Sequence, residues 1–151
     1  MPLPPSVTKV SRDGDVTFTS NVDRAKYSIS ELSRRALYDI AKFLRKEMIL
    51  ELKKLPGMKR NKRIYNSTQY WVRKKEADLQ IGFKHDSWYG AHQELGDRKQ
   101  PKRGILRNAV YPNIGTIRII TGQYLSAVED ENRLLGLINE GEYTSEEKTD
   151  E

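Results

Sequence analysis

The chain has no cysteine and only two histidines among its 151 residues. Without thiols there is no disulfide framework, no thiolate nucleophile and no zinc–thiolate site. The composition fits a reducing cytoplasm. No apolar run approaches the ~20 residues that a membrane-crossing helix needs. The stretch "MPLPPSVTKV" holds no apolar signal region. Neither a membrane nor an export signal is therefore expected. Three further patterns are missing: Gly-x-Ser-x-Gly, a glycine-rich loop ending in Lys-Ser/Thr, and His-Glu-x-x-His. Those absences remove the strongest sequence marks of serine hydrolases, P-loop enzymes and zinc peptidases. Nor is there a helix-turn-helix, a zinc finger or an aromatic nucleic-acid signature.

What is present is polar but foldable. Hydrophobic residues make up 36% and charged residues 32%, above the range of disordered chains. The length suits one domain with a modest core. A small core under much surface implies that some apolar surface is buried against partners. The net charge of +6 hides an asymmetry: the balance is +13 over residues 1–128 and −7 over 129–151. A basic body with an acidic tail suits polyanions, or head-to-tail stacking of identical chains.

The expected fold class is α+β, a long N-terminal helix and a C-terminal helix packed on a small antiparallel sheet. Residues 1–26 read as an extended lead followed by an arm or weak hairpin turning at Asp13-Gly14. Ser28 three residues before Glu31 reads as a capping box. From there Leu32, Ala36, Phe43, Leu44 and Met48 recur at helical spacing, widened by Leu37, Ile40 and Leu50. Leu55-Pro56-Gly57 stops the helix. A helix over 29–55 is on the order of 40 Å long.

A basic loop follows, with Lys59, Arg60, Lys62 and Arg63 within five positions. "TQYWVRKKEADLQIGFK" reads as a hairpin. In its second arm Ala77, Leu79, Ile81 and Phe83 alternate with polar residues, and the turn lies between Arg73 and Asp78. Residues 113–121 fit either a strand or a helical stripe of Ile114, Ile117 and Ile120; helix from about Asn113 is the favoured reading. Residues 27–140 are expected to form a single domain. Residues 141–151 read as an acidic disordered tail.

The densest stretch is "WYGAHQELGDRKQPKRGILRNAV", residues 88–110. It gathers Trp88, Tyr89, His92, Glu94 and a basic loop punctuated by proline and glycine. Metal or acid–base chemistry would have to use His85, Asp86, His92 and Glu94, or a carboxylate set of Glu76, Asp78 and Glu94. None has a ligand spacing, and two surface histidines beside a strand end is the plainer reading. Catalytic, metal and cofactor sites are accordingly expected to be none. The two basic loops, 53–63 and 98–107, and the aromatics Trp71, Trp88 and Tyr89 also suit nonspecific nucleic-acid binding. Core or interface packing is the plainer role for the aromatics.

The same stretch resembles the neck and tail-completion proteins of long-tailed bacteriophages. In that family an aromatic-rich strand leads into Tyr-x-x-x-x-Glu-x-Gly, then a polar loop with proline, then Phe-Leu-x-Pro-Ala at a helix start. Here Tyr89 and Glu94-Leu95-Gly96 match the first part, and Pro101 the loop. Ile105-Leu106-Arg107-Asn108-Ala109 match the last, with Ile105 in place of the aromatic and Asn108 in place of the proline. "LQIGFK" matches the preceding strand. The resemblance covers roughly residues 27–140.

It implies a non-enzymatic virion protein at the head–tail junction, made in the host cytoplasm. Identical chains form a closed ring, a hexamer matching the six-fold tail, between the head-side connector or stopper and the tail proteins. Genomic DNA passes through it, so contact with DNA is transient. Subunit or partner contacts are then expected at Trp88, Tyr89, Glu94, Gly96, Arg103, Ile105 and Leu106. DNA-facing positions would be Lys59, Arg60, Lys62, Arg63, Lys99 and Lys102. Gly96 is expected to take positive φ after a strand. Glu94 is expected to accept hydrogen bonds from the loop backbone or pair with Arg103 or Arg107. Trp88 either anchors an interface or fills the subunit's own core.

Overall fold

The spacing of apolar residues every fourth position along one segment dictates the largest element. In a computed structural model, which describes residues 4–5, 7–10, 17–55, 64–128 and 130, that segment is the 32-residue helix α1 (Val22–Lys53). Leu32, Ala36, Ile40, Leu44, Met48 and Leu52 are all buried along it. The chain is α+β: α1, a C-terminal helix and two antiparallel sheets of two strands each. It divides into two compact units, residues 1–35 with 123–151, and residues 36–122.

In the first unit, β1 (Val7–Val10) pairs antiparallel with β2 (Thr17–Ser20), Val7 opposite Ser20. This is the hairpin expected around Asp13-Gly14; the turn itself lies outside the described residues. The start of α1 departs from expectation. The helix begins a turn and a half before Ser28, where the Ala25 N–H donates to the Asn21 carbonyl at 2.9 Å. Ser28 is therefore interior and buried, and its Oγ donates back to the Arg24 carbonyl at 2.9 Å. Glu31 turns to Arg34 at 2.7 Å. The capping-box pattern was satisfied by an i−4 back-bond and an i,i+3 ion pair instead. Tyr27, on the same turn, has its phenol pushed above the usual range, first by burial and then by the neighbouring Glu31 carboxylate.

In the second unit, β3 (Thr68–Arg73) and β4 (Asp78–Phe83) form the expected hairpin, Thr68 opposite Phe83 and Arg73 opposite Asp78. Period-two geometry sends Thr68, Tyr70 and Val72 to one face with Leu79, Ile81 and Phe83. Trp71 and Gln80 face the other way and are exposed. Arg73 closes the turn: its Nε donates to Asp78 Oδ1 at 2.7 Å and lies 3.2 Å from Glu76. Hydrogen bonding to Arg73 holds the Asp78 carboxyl below the usual carboxylate range. Ala77, expected in the strand, is in the turn at φ 48°.

The remaining elements are α2 (Trp88–Leu95), α3 (Ile105–Val110), a 3-10 turn over Tyr111–Asn113 and α4 (Ile114–Ser126). The segment that fitted either strand or helix is helix. The core of this unit is Met48, Leu52, Ile105 and Ala109, ringed by Leu55, Ile64, Tyr65, Ile81, Phe83 and Leu106. Met48, Leu52 and Ile105 are essentially inaccessible, each contributing about 2–3 kcal/mol by burial. Arg45 ties α1 to the sheet, its Nε 3.3 Å from both the carbonyl and Oγ1 of Thr68. The lysines and arginines at 59, 60, 62 and 63 and the acidic tail at 141–151 lie outside the described residues. Among the described residues, no helix is long and apolar enough to cross a membrane.

Candidate functional site: the joint between α2 and α3

The stretch expected to carry function folds as a helix, a pinned hairpin and a second helix. The sequence reading set the aromatics beside a strand and the two histidines at a strand end: His85 does lie exposed in the turn after β4, whereas Trp88 and His92 are on a helix. Trp88, His92 and Leu95 instead share one face of α2 at i, i+4 and i+7. Sheet β3–β4 stops at Phe83, and α2 sits against that end. Gly90 makes the approach feasible: a methyl there would overlap the Phe83 ring. The Gly90 N–H donates to the Ser87 carbonyl at 2.8 Å.

Two glycines with positive φ bracket the hairpin. Gly96 ends α2 at φ 78°, ψ 166°, and its N–H donates to the His92 carbonyl. The expected positive φ is present, but it follows a helix rather than a strand. A Cβ at Gly96 would lie 2.7 Å from the Lys102 nitrogen. Gly104 precedes α3 in the left-handed region, φ 58°, ψ 48°. Between them, Asp97 and Gln100 exchange backbone bonds of 2.9 and 3.1 Å, leaving Arg98 and Lys99 at the tip.

The hairpin is bound back onto α2. The Arg103 and Gly104 N–H groups donate to the Gln93 and Glu94 carbonyls at 3.1 and 3.4 Å. Gln93, buried, donates from Nε2 to Gln100 Oε1 at 3.0 Å. Glu94 Oε2 accepts the Leu106 N–H at 2.8 Å. That N–H belongs to the first turn of α3, which has no intrahelical acceptor, so a carboxylate there also complements the helix end. Of the two roles expected for Glu94, it takes the backbone one. No ion pair joins it to Arg103 or Arg107 among the described residues; Arg107 lies over the Tyr111 ring at 5.5 Å.

The expected contact residues divide sharply. Trp88 is 70% exposed, and its ring meets those of Tyr89 and His92 edge-on, at separations of 5.9 and 5.3 Å. It does not fill the subunit's core. Tyr89, Arg103 and Leu106 are half-buried, and Lys99 and Lys102 are exposed. Ile105, expected at an interface, is 1% exposed and belongs to the core with Met48 and Leu52. The reason is its place at the first position of α3, facing α1.

The acid–base and metal candidates are not brought together. Glu76 and Asp78 serve Arg73, Glu94 serves Leu106, and His85 is exposed in the turn before α2. His92 Nδ1 lies 3.9 Å from Asp97. Among the described residues, no cluster of three or more such side chains could hold a metal ion. Sequence reasoning missed Gly90, Gln93 and Gly104. Gly104 had a signal, a glycine directly before an apolar helical run. Gly90 had none, because only the fold brings Phe83 to it.

In comparisons with known proteins, the chain matches no family model, no curated protein and no solved structure.

Proposed function

We propose that this chain is a structural virion protein of the neck, or tail-completion, type. Copies of it form a ring at the junction of phage head and tail, joining the two and leaving a passage for DNA. It acts by geometry and performs no catalysis. One observation carries this reading. The residues Tyr89, Glu94, Gly96, Pro101 and 105–109, on which the family resemblance rests, lie along one joint that backbone bonds and the Glu94 bond to the Leu106 N–H hold together. That joint presents Trp88, 70% exposed, on its outer face. A rigid mount for a large exposed aromatic is what a subunit contact needs, since aromatics lose little side-chain entropy on docking. A closed ring also needs two different faces per subunit, and the opposed charge of the body and the 129–151 segment supports that requirement.

Immunogold electron microscopy of purified particles, with an antibody to residues 141–151, tests the reading. Label confined to the head–tail junction is expected. Protein abundant in infected cells but missing from particles by mass spectrometry would refute it.

A second reading, nonspecific nucleic-acid binding, draws on the exposed cations Arg98, Lys99 and Lys102 and on exposed Trp88. It requires tight duplex binding that weakens steeply with salt. The ring reading expects only weak contacts, because tight ones would hold back the genome.

A further inference from the structure

The outer face of α2 is apolar and exposed where the rest of the joint is closed. Trp88 and Leu95 are each 70% exposed, with His92 between them. This face runs directly into the hairpin: His92 Nδ1 is 3.9 Å from Asp97, and Gln93 bonds Gln100. The hairpin tip carries Arg98 and Lys99, with Lys102 just beyond it, all exposed. No carboxylate among the described residues pairs with these three side chains. The result is an apolar strip that runs into a backbone-pinned turn bearing three exposed cations. A ligand that fits it must be apolar over a few residues and acidic around them.

The chain itself contains such a segment. Residues 131–151 carry seven carboxylates and two cations, and the run Leu134-Leu135-Gly136-Leu137-Ile138 is followed by Glu140 and Glu142. We infer that the α2 face and the 98–102 hairpin are the docking site for the 131–151 segment of a second copy. This rests on the ring reading and specifies it, giving the two unlike faces of a head-to-tail contact. The apolar run lies on Trp88 and Leu95, and the flanking carboxylates meet Arg98, Lys99 and Lys102. Charge complementarity selects this occupant over a basic or neutral peptide, and it makes the contact weaken with salt.

The test is carbodiimide coupling of the full chain, which joins amines to carboxylates only in direct contact. Unlabelled and 15N-labelled chains are mixed equally at high concentration and the cross-linked peptides are read by mass spectrometry. Mixed-isotope pairs joining Lys99 or Lys102 to Glu131, Glu140 or Glu142 are expected, falling as salt rises. Trp88→Ala should reduce them about tenfold, as loss of a contact anchor does, with circular dichroism and melting unchanged. Trp71→Ala, on the outer face of the β3–β4 sheet, should leave them as they were. Same-isotope pairs alone would mean that each chain's own segment occupies the site, and would overturn the inference. So would the absence of these pairs, or their survival in Trp88→Ala. The ring reading fails separately: mixed pairs without label at the head–tail junction would keep this contact and remove the neck role. Junction label without the pairs would keep the neck role and assign the subunit contact to another face.

Discussion

Replacing Gly96 by alanine should be among the most damaging single changes in the chain, although it adds one methyl at a partly exposed position. Two terms combine. The backbone at φ 78°, ψ 166° lies in a region that only glycine occupies comfortably, with a cost of about 1–3 kcal/mol for another residue. The added Cβ would also lie 2.7 Å from the Lys102 nitrogen and 3.0 Å from its Cα. Backbone cannot rotate away as a side chain can, and Lys102 is held by its neighbour Arg103, bonded to Gln93. Such overpacking costs a further ~1–3 kcal/mol. The lower entropy of the unfolded alanine chain offsets about 0.4–1 kcal/mol. The net loss is about 3 kcal/mol. At about 2–4 °C per kcal/mol for a chain of this size, melting falls by about 6–12 °C.

Gly104→Ala is the internal control. Its φ of 58° is strained for alanine by about 1–2 kcal/mol, but the nearest atom to a Cβ is 3.7 Å away. Urea denaturation of both variants should show Gly96→Ala losing clearly more, with unchanged m-values, because one methyl hardly changes the surface exposed on unfolding. Equal losses, or a greater loss at Gly104, would show that the approach of Lys102 to Gly96 is not a constraint.

Glu94→Ala should cost about 0.5–2 kcal/mol, the range for losing a helix cap, while Glu94→Gln keeps an acceptor for the Leu106 N–H and loses less. Equal losses in urea titrations would put the charge, not the hydrogen bond, in control. Ser28→Ala should stay within about 0.5 kcal/mol of the parent, because better helix propensity compensates a lost back-bond; a loss near 1 kcal/mol would show that the bond to the Arg24 carbonyl outweighs propensity. The Asp78 carboxyl, depressed in the folded chain, contributes stability above its unfolded pKa and loses it as pH falls through the lower folded value. Arg73→Gln should raise the Asp78 titration midpoint, read by side-chain NMR. An unmoved midpoint would refute the assignment to Arg73.

The long helix, the β3–β4 hairpin and the α+β class were legible because each has a strong local period. Every fourth residue of α1 from Leu32 to Leu52 is apolar, and β4 alternates from Leu79 to Phe83. The start of α1 was not legible, since Ser28 and Glu31 have the chemistry of a cap but also serve within a helix. At the joint, the positive φ of Gly96 and the backbone role of Glu94 could be anticipated from a glycine and a carboxylate beside a polar loop. The helical nature of 88–95 was obscured by its length. Two turns give little periodicity, and its stability comes from packing on Phe83 through Gly90, a contact absent from any local window. The same limit misplaced Ile105, whose burial depends on where α1 passes.

Helix α4 differs from α1 in what sustains it. Tyr124 is its only buried residue, Ile119 and Leu125 are more than 60% exposed, and Gly115 and Gly122 stand in open space. Each glycine weakens a helix interior by about 1 kcal/mol relative to alanine, and little packing offsets it. In hydrogen-exchange terms, the amides of 115–122 should open by local fraying, well before the global unfolding that releases those of 40–52. Slowed exchange over 115–122 on incorporation into a larger particle would identify α4 as the element that a neighbour makes rigid.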